Sequence, residues 1–304
     1  MLLTVIPLQA YALMGNAQDT SVLLFAVSIG GIVAALVLPQ IIKRIGLYPA
    51  YLLSCVTMVA SALLMAFEQV WLFSAGLFFH VFSIAAAEVT LSLYVMSRIP
   101  RSQMTSFEPL RILALVLALT IGPFLGVYFE ARILHELPFI VCIVFMIASV
   151  FVFRLLKLQQ TIVPASKSDS VNPLKYLSRY LKQPRLRLAY GLVLARSSWW
   201  TMFIIYAPIY ATQSGLGELT GAAIVSIGTA WTLSVPFWGW VARRFGVRQL
   251  LFWGFSFCSL MTFVVFLVVD QPLIASVLLI FCALGATMLD GVGNVLFFRA
   301  VRTG

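Results

Sequence analysis

The chain has 304 residues, of which 62% are hydrophobic and only 10% charged, with a formal net charge of +10. A soluble domain is about 45–50% apolar and about 25% charged, so this composition excludes a conventional soluble enzyme, a disordered chain and a nucleic-acid-binding tail protein. The mean hydropathy of +1.03 fits a series of membrane-spanning helices of roughly 20 residues each.

Ten apolar runs follow in chain order, at 1–14, 20–42, 48–66, 71–95, 105–128, 136–156, 188–211, 218–239, 250–268 and 272–297. Each is expected to be a helix, because an open sheet leaves backbone groups unpaired in lipid. The first run is too short to span. It lacks the basic start and cleavage site of a signal peptide, so it reads as the tail of a truncated helix. Cys55, Cys142, Cys258 and Cys282 lie inside apolar runs without metal-ligand spacing and read as buried free thiols. His80 and His135 are the only histidines, so no metal site is expected.

Lys and Arg alternate strictly from loop to loop. Of the 20 basic residues, 17 fall in alternate connections: Lys43 and Arg44; Arg98 and Arg101; eight from Arg154 to Arg187; Arg243, Arg244 and Arg248; Arg299 and Arg302. The other connections hold only Arg132, and Arg111 and Arg196 lie within runs. The positive-inside rule makes the basic side cytoplasmic, which explains the net charge without a nucleic-acid partner. The one long polar stretch, 156–186, follows the sixth run. Its part 174–186 reads either as a basic helix on anionic lipid or as a solvated tether. The expected organisation is an N-terminal helix bundle over 1–156, a cytoplasmic linker over 157–187 and a C-terminal bundle over 188–304.

An internal repeat supports two related bundles. The sequence Lys43-Arg-Ile-Gly46 recurs as Arg243-Arg-Phe-Gly246, an offset of 200 residues. Parallel repeats of this size are a known transporter plan. With Gly239, Val241, Ala242, Arg244, Gly246 and Arg248 in the second half, and Ile41, Arg44 and Gly46 in the first, the loop resembles the mark of the major facilitator superfamily. That mark is Gly-x-Leu-Ala-Asp-Arg-x-Gly-Arg-Lys/Arg between helices two and three of each half. Lys43 and Arg243 occupy its acidic position, so the acidic switch contact of that loop cannot form in its usual way.

In the fifth run, Ala118-x-x-x-Gly122-Pro123-x-x-Gly126 resembles the motif of the superfamily's drug-and-proton antiporters. Small residues at this spacing equally serve close helix packing. The Arg-x-x-Gln-Gly pattern often found in helix four of such transporters is absent around Gly76–Phe82. The resemblance implies a two-bundle fold with about ten of twelve helices present, the first truncated and the last two missing. It also implies a multi-pass protein of the cell inner (plasma) membrane that moves a small molecule by alternating access. The implied partners are that substrate and the bilayer, without cofactor, and the chain is expected to be a monomer. Proton-coupled efflux is the preferred mode. Uptake by symport or uniport, and a non-transporting truncated protein, are the alternatives.

Ionisable groups inside spans are costly, so each is a functional candidate. Glu88 and Arg111 lie about 10–12 Å from the basic side at 1.5 Å per residue, with Glu108 one turn shallower. They are expected to pair across the fourth and fifth runs, as a gate or as a fixed structural pair. In the second half Asp290 and Arg196 lie at similar depth, and Asn294 sits one turn below Asp290 in a stretch loosened by Gly291 and Gly293. Asp290 is the favoured proton carrier. Trp199 or Trp200, Phe203, Tyr206 and Tyr210 share one helix face with Arg196 and form either a substrate surface or an interface belt. His80 reads as a proton relay or as a packing histidine. No nucleotide-binding loop occurs, so energy must come from a gradient, and no catalytic constellation marks an enzyme.

This topology carries a direct test. Reporters fused after Gln213 and Pro272 should read periplasmic, and those after Ser168 and Arg248 cytoplasmic. A cytoplasmic signal after Gln213 would overturn the order of the second half.

Overall fold

The computed structural model describes residues 1–99, 101–157 and 183–291, with only the backbone described for 101–106, 108, 109 and 185. Its helices are α1 (Leu2–Met14), α2 (Ala17–Ile45), α3 (Leu47–Met65), α4 (Val70–Arg98), α5 (Arg101–Arg132), α6 (Leu137–Leu155), α7 (Pro184–Gln213), α8 (Glu218–Ala230), α9 (Val235–Phe245), α10 (Val247–Leu267) and α11 (Pro272–Asp290). Among the described residues there is no strand. Among the described residues nine segments are long and apolar enough to cross a membrane, counting 218–245 as one, and α1 is a shorter apolar helix. Large apolar side chains stand outward, Trp71 at 87% exposure and Phe266 at 71%, as lipid permits and water does not.

Each of the ten expected runs is helical over its described residues, nine of them as a single helix with shifted ends, and the last in the chain is described only as far as Gly291. Helix α7 begins at Pro184, inside the stretch assigned to the linker, because proline is preorganised for the first helical turn. The remainder of that linker, 158–182, lies outside the described residues. The eighth run is not one helix. Pro236 has no N–H to offer the carbonyl of Thr232, and the Val235 N–H takes that carbonyl instead, giving the 3-10 turn Trp231–Ser234 between α8 and α9.

Contacts divide the chain into two compact units, 9–111 with 129–169, and 1–8 with 112–128 and 170–304. These differ from the chain-order halves, since part of α5 and the start of α1 join the C-terminal helices. The Phe124 N–H donates to Ser226 Oγ at 3.0 Å, and Thr229 Oγ1 donates to the Leu119 carbonyl at 3.0 Å.

In the first unit α3 packs against α2, α4 and α6. Ser61 Oγ donates to the Gly76 carbonyl at 2.8 Å and Ser83 Oγ to the Ser54 carbonyl at 2.6 Å, which draws α3 and α4 together through small residues. Tyr51 stacks on Phe153 with centroids 3.9 Å apart, and Tyr94 meets both rings edge-on. In the second unit α11 packs against α7, α8, α9 and α10. Glycines permit the approach: a Cβ on Gly285 would lie 3.0 Å from the Cys258 backbone nitrogen, and one on Gly228 would lie 2.4 Å from the Phe203 ring.

The repeat has the same geometry in both copies. Gly46 (φ 92°) ends α2 with its N–H on the Ile42 carbonyl, and Gly246 (φ 99°) ends α9 with its N–H on the Ala242 carbonyl. Each glycine carbonyl then accepts from the residue four on, Ala50 and Leu250, at 3.2 Å. Arg44, Arg244 and Arg248 are exposed. The backbone at both glycines lies where L side chains are strained, at a typical cost of about 1–3 kcal/mol. Gly46→Ala and Gly246→Ala should each lower thermal stability in detergent by that amount. Gly191→Ala, in α7 with open space around it, should be neutral or slightly stabilising. Equal melting of all three variants would overturn the argument.

Candidate functional site

The polar centre of the second unit is built on α7 and α11. Arg196 lies in α7, and Asp290 closes α11. Arg196 Nη1 is 3.1 Å from Asp290 Oδ1, with side chains only 21% and 22% exposed. The Trp200 Nε1–H donates to the other oxygen, Oδ2, at 3.1 Å. Both carboxylate oxygens are therefore engaged, one by a cation and one by a neutral donor. An ion pair at this burial is held by its geometry, because removing either partner strands the other charge.

Aromatic rings extend from this pair. Trp199 stacks on Phe203 at 5.2 Å with an 11° interplanar angle, and Trp200 meets both edge-on. The Trp199 Nε1–H donates to Thr262 Oγ1 of α10 at 3.3 Å. Arg196 and Trp199 line a cavity of ≈ 490 Å³ with Phe255, Cys258, Thr262 and Phe263. Phe203 is 4% exposed and packs with Ala207, Ile224, Val225 and Ala283, so it serves the core and supports the Trp199 face from behind. Tyr206 is half-buried. The Tyr210 hydroxyl donates to the Val269 carbonyl at 2.7 Å, which ties α7 to the α10–α11 connection. Asn294 and Gly293 lie outside the described residues, as does the Glu108 side chain.

The first unit departs from expectation. Among the described residues no ion pair joins Glu88 to Arg111, and both side chains are exposed. Equal depth along two helices does not make them face each other, and α4 packs against α2 and α3. His80 is half-buried, with Nδ1 buried and lacking a hydrogen-bond partner among the described residues. Gly122, Pro123 and Gly126 are buried. A Cβ on Gly122 would lie 2.8 Å from the Met1 nitrogen, and one on Gly126 2.4 Å from the Met1 carbonyl oxygen. This motif therefore receives the backbone at the start of α1.

Two clusters escaped the sequence reading. Gln9 Nε2 donates to Glu130 Oε1 at 2.7 Å and lies 3.2 Å from His135 Nε2. That nitrogen is also 3.2 Å from Glu68 Oε1, and His135 Nδ1 is 3.6 Å from Glu130 Oε1. Three chain segments contribute, Gln9 from α1, Glu68 from the α3–α4 connection, and Glu130 with His135 from the end of α5 and the connection after it, so no single local pattern announces the group. The available signal was compositional: Glu68, Glu130 and Glu136 crowd the connections poor in Lys and Arg. The second cluster is Cys258 and Cys282, with sulfurs 3.6 Å apart and Thr262 Oγ1 3.1 Å from Cys282. Both thiols are free and buried. Among the described residues no set of three or more His, Cys, Asp or Glu is arranged to hold a metal ion.

Comparison with curated proteins gives no match. The family model of the Major Facilitator Superfamily matches residues 1–304, the whole chain. Together with the helices long and apolar enough to span a bilayer, this match makes the chain a multi-pass membrane protein of the Major Facilitator Superfamily, a family of membrane transporters.

Proposed function

We propose that the protein is a proton-coupled secondary transporter of the inner (plasma) membrane that exports a small amphiphile by alternating access, with Asp290 taking up the proton. The observation that carries this reading is the partly buried Arg196–Asp290 pair completed by the Trp200 indole. A proton on Asp290 removes its charge, leaves Arg196 without its counter-ion and weakens the tie between α7 and α11. Such an event drives transport where the proton binds one conformational state better than the other. Beside the pair, Trp199 offers a flat apolar face to the cavity, which suits a substrate with an aromatic part.

Export is favoured over import by the likeness of Gly122-Pro123-x-x-Gly126 to the antiporter motif. Lys43 and Arg243 at the acidic loop position favour a second reading, a membrane protein of this family that does not transport.

Reconstituted vesicles separate these readings, with ethidium as an aromatic cationic probe. The wild-type protein should move the dye against an imposed proton flow. Asp290→Asn should lower that flux by about tenfold while leaving dye exchange without a pH gradient intact. Dye moving with the proton flow would mean symport, and absence of dye movement would support the non-transporting reading. An unchanged pH dependence in the Asn variant would remove Asp290 from the mechanism.

A further inference from the structure

The unit containing α2, α3, α4 and α6 carries a groove of ≈ 390 Å³ between α3 and α6, lined by Cys55, Val56, Val59, Ile147, Phe151 and Arg154 among others. Val56, Ile147 and Phe151 are 64%, 62% and 61% exposed, so the rim stands open to the surrounding membrane. In hydrocarbon such a slot is filled by a chain of matching width, because unfilled space forfeits dispersion contacts on every lining atom. From Ile147 to Arg154 it runs about 10 Å along α6 at 1.5 Å per residue.

One end differs from the rest. Arg154, in the last turn of α6, is the only charged residue in the lining. Arg154 is exposed, and long basic side chains at a membrane edge lay their stems on apolar surface while keeping the charged head in the polar layer. The Tyr48 hydroxyl, 3.5 Å from Nε, steadies one edge of the guanidinium. Among the described residues no carboxylate pairs with it. Lys157 follows on an exposed turn. Lys43 and Arg44 end α2, next to Ile42, which packs against the same Tyr51–Phe153 core. The groove thus runs from a hydrocarbon slot to a cationic rim.

We propose that this groove is a binding site for an anionic phospholipid, with an acyl chain along Val56, Val59, Ile147 and Phe151 and the phosphate on Arg154. Arginine suits this role because its planar fork offers two parallel donors to phosphate oxygens. Arg154 is the one charged residue of α6, so selectivity between lipids rests on its end of the groove.

Native mass spectrometry of the detergent-purified protein tests this, with phosphatidylglycerol and phosphatidylcholine of identical dioleoyl chains offered at equal concentration. The wild type should retain phosphatidylglycerol about fivefold over phosphatidylcholine, the preference one basic residue gives at a membrane surface. Arg154→Gln should bring the ratio close to one, and Arg154→Lys should keep most of it. Ile147→Trp, placed on the exposed rim where folding is insensitive to it, should reduce retention of both lipids. Millimolar inorganic phosphate should displace neither. Equal retention by the wild type, an unchanged ratio in Arg154→Gln, full retention in Ile147→Trp, or displacement by phosphate would each overturn the assignment.

Discussion

Hydrocarbon offers no hydrogen-bond partner to a peptide group, and the whole architecture follows from that fact. Each spanning segment closes its backbone bonds within itself as a helix. Burial of apolar surface then drives little association, because lipid tails are as apolar as the side chains. Association depends on close approach and on the few polar contacts available. The serine hydroxyls between α3 and α4 and the glycines facing Phe203, Cys258 and Leu289 are the local answers. Bulk stays at the periphery, where Trp71 and Phe266 meet lipid.

The same constraint concentrates chemistry. A charge within a span must be matched by a partner on another helix, and matched in direction as well as depth. Arg196 and Asp290 meet this condition, with Trp200 completing the carboxylate. Glu88 and Arg111 do not meet each other. The two halves of the chain share the geometry of their glycine-ended loops yet differ in what their spans carry, so the repeat fixes a scaffold and leaves the polar interior free to diverge.

Much of this was legible in one dimension. Hydropathy located each spanning segment found among the described residues, and the Lys43–Gly46 and Arg243–Gly246 repeat pointed to two loops of one shape. Depth counting placed Arg196 level with Asp290. It failed for Glu88 and Arg111 because residue count measures height along a helix, whereas pairing also requires facing azimuths. The junction of Gln9, Glu68, Glu130 and His135 draws on three separate segments, and Cys258 meets Cys282 across 24 residues. Neither follows from spacing. The interruption at Trp231–Ser234 did have a sign in Pro236, which was hidden within an otherwise uniform apolar run.

That interruption sets the mechanics of its span. The Val235 N–H serves the carbonyl left by Pro236, Ser234 Oγ donates to the Trp231 carbonyl, and Thr232 Oγ1 bonds the carbonyl of Thr229. Ser234 Oγ also receives the Trp238 indole N–H at 2.9 Å. Backbone 3-10 bonds, supplemented by local hydroxyls, thus take the place of the regular α-helical ladder at this point. The span is two rods joined where the regular ladder gives way, a place at which helix curvature concentrates. The carbonyls of Thr229 and Trp231 each keep a hydroxyl donor at this joint, so the break in the span leaves them satisfied without water.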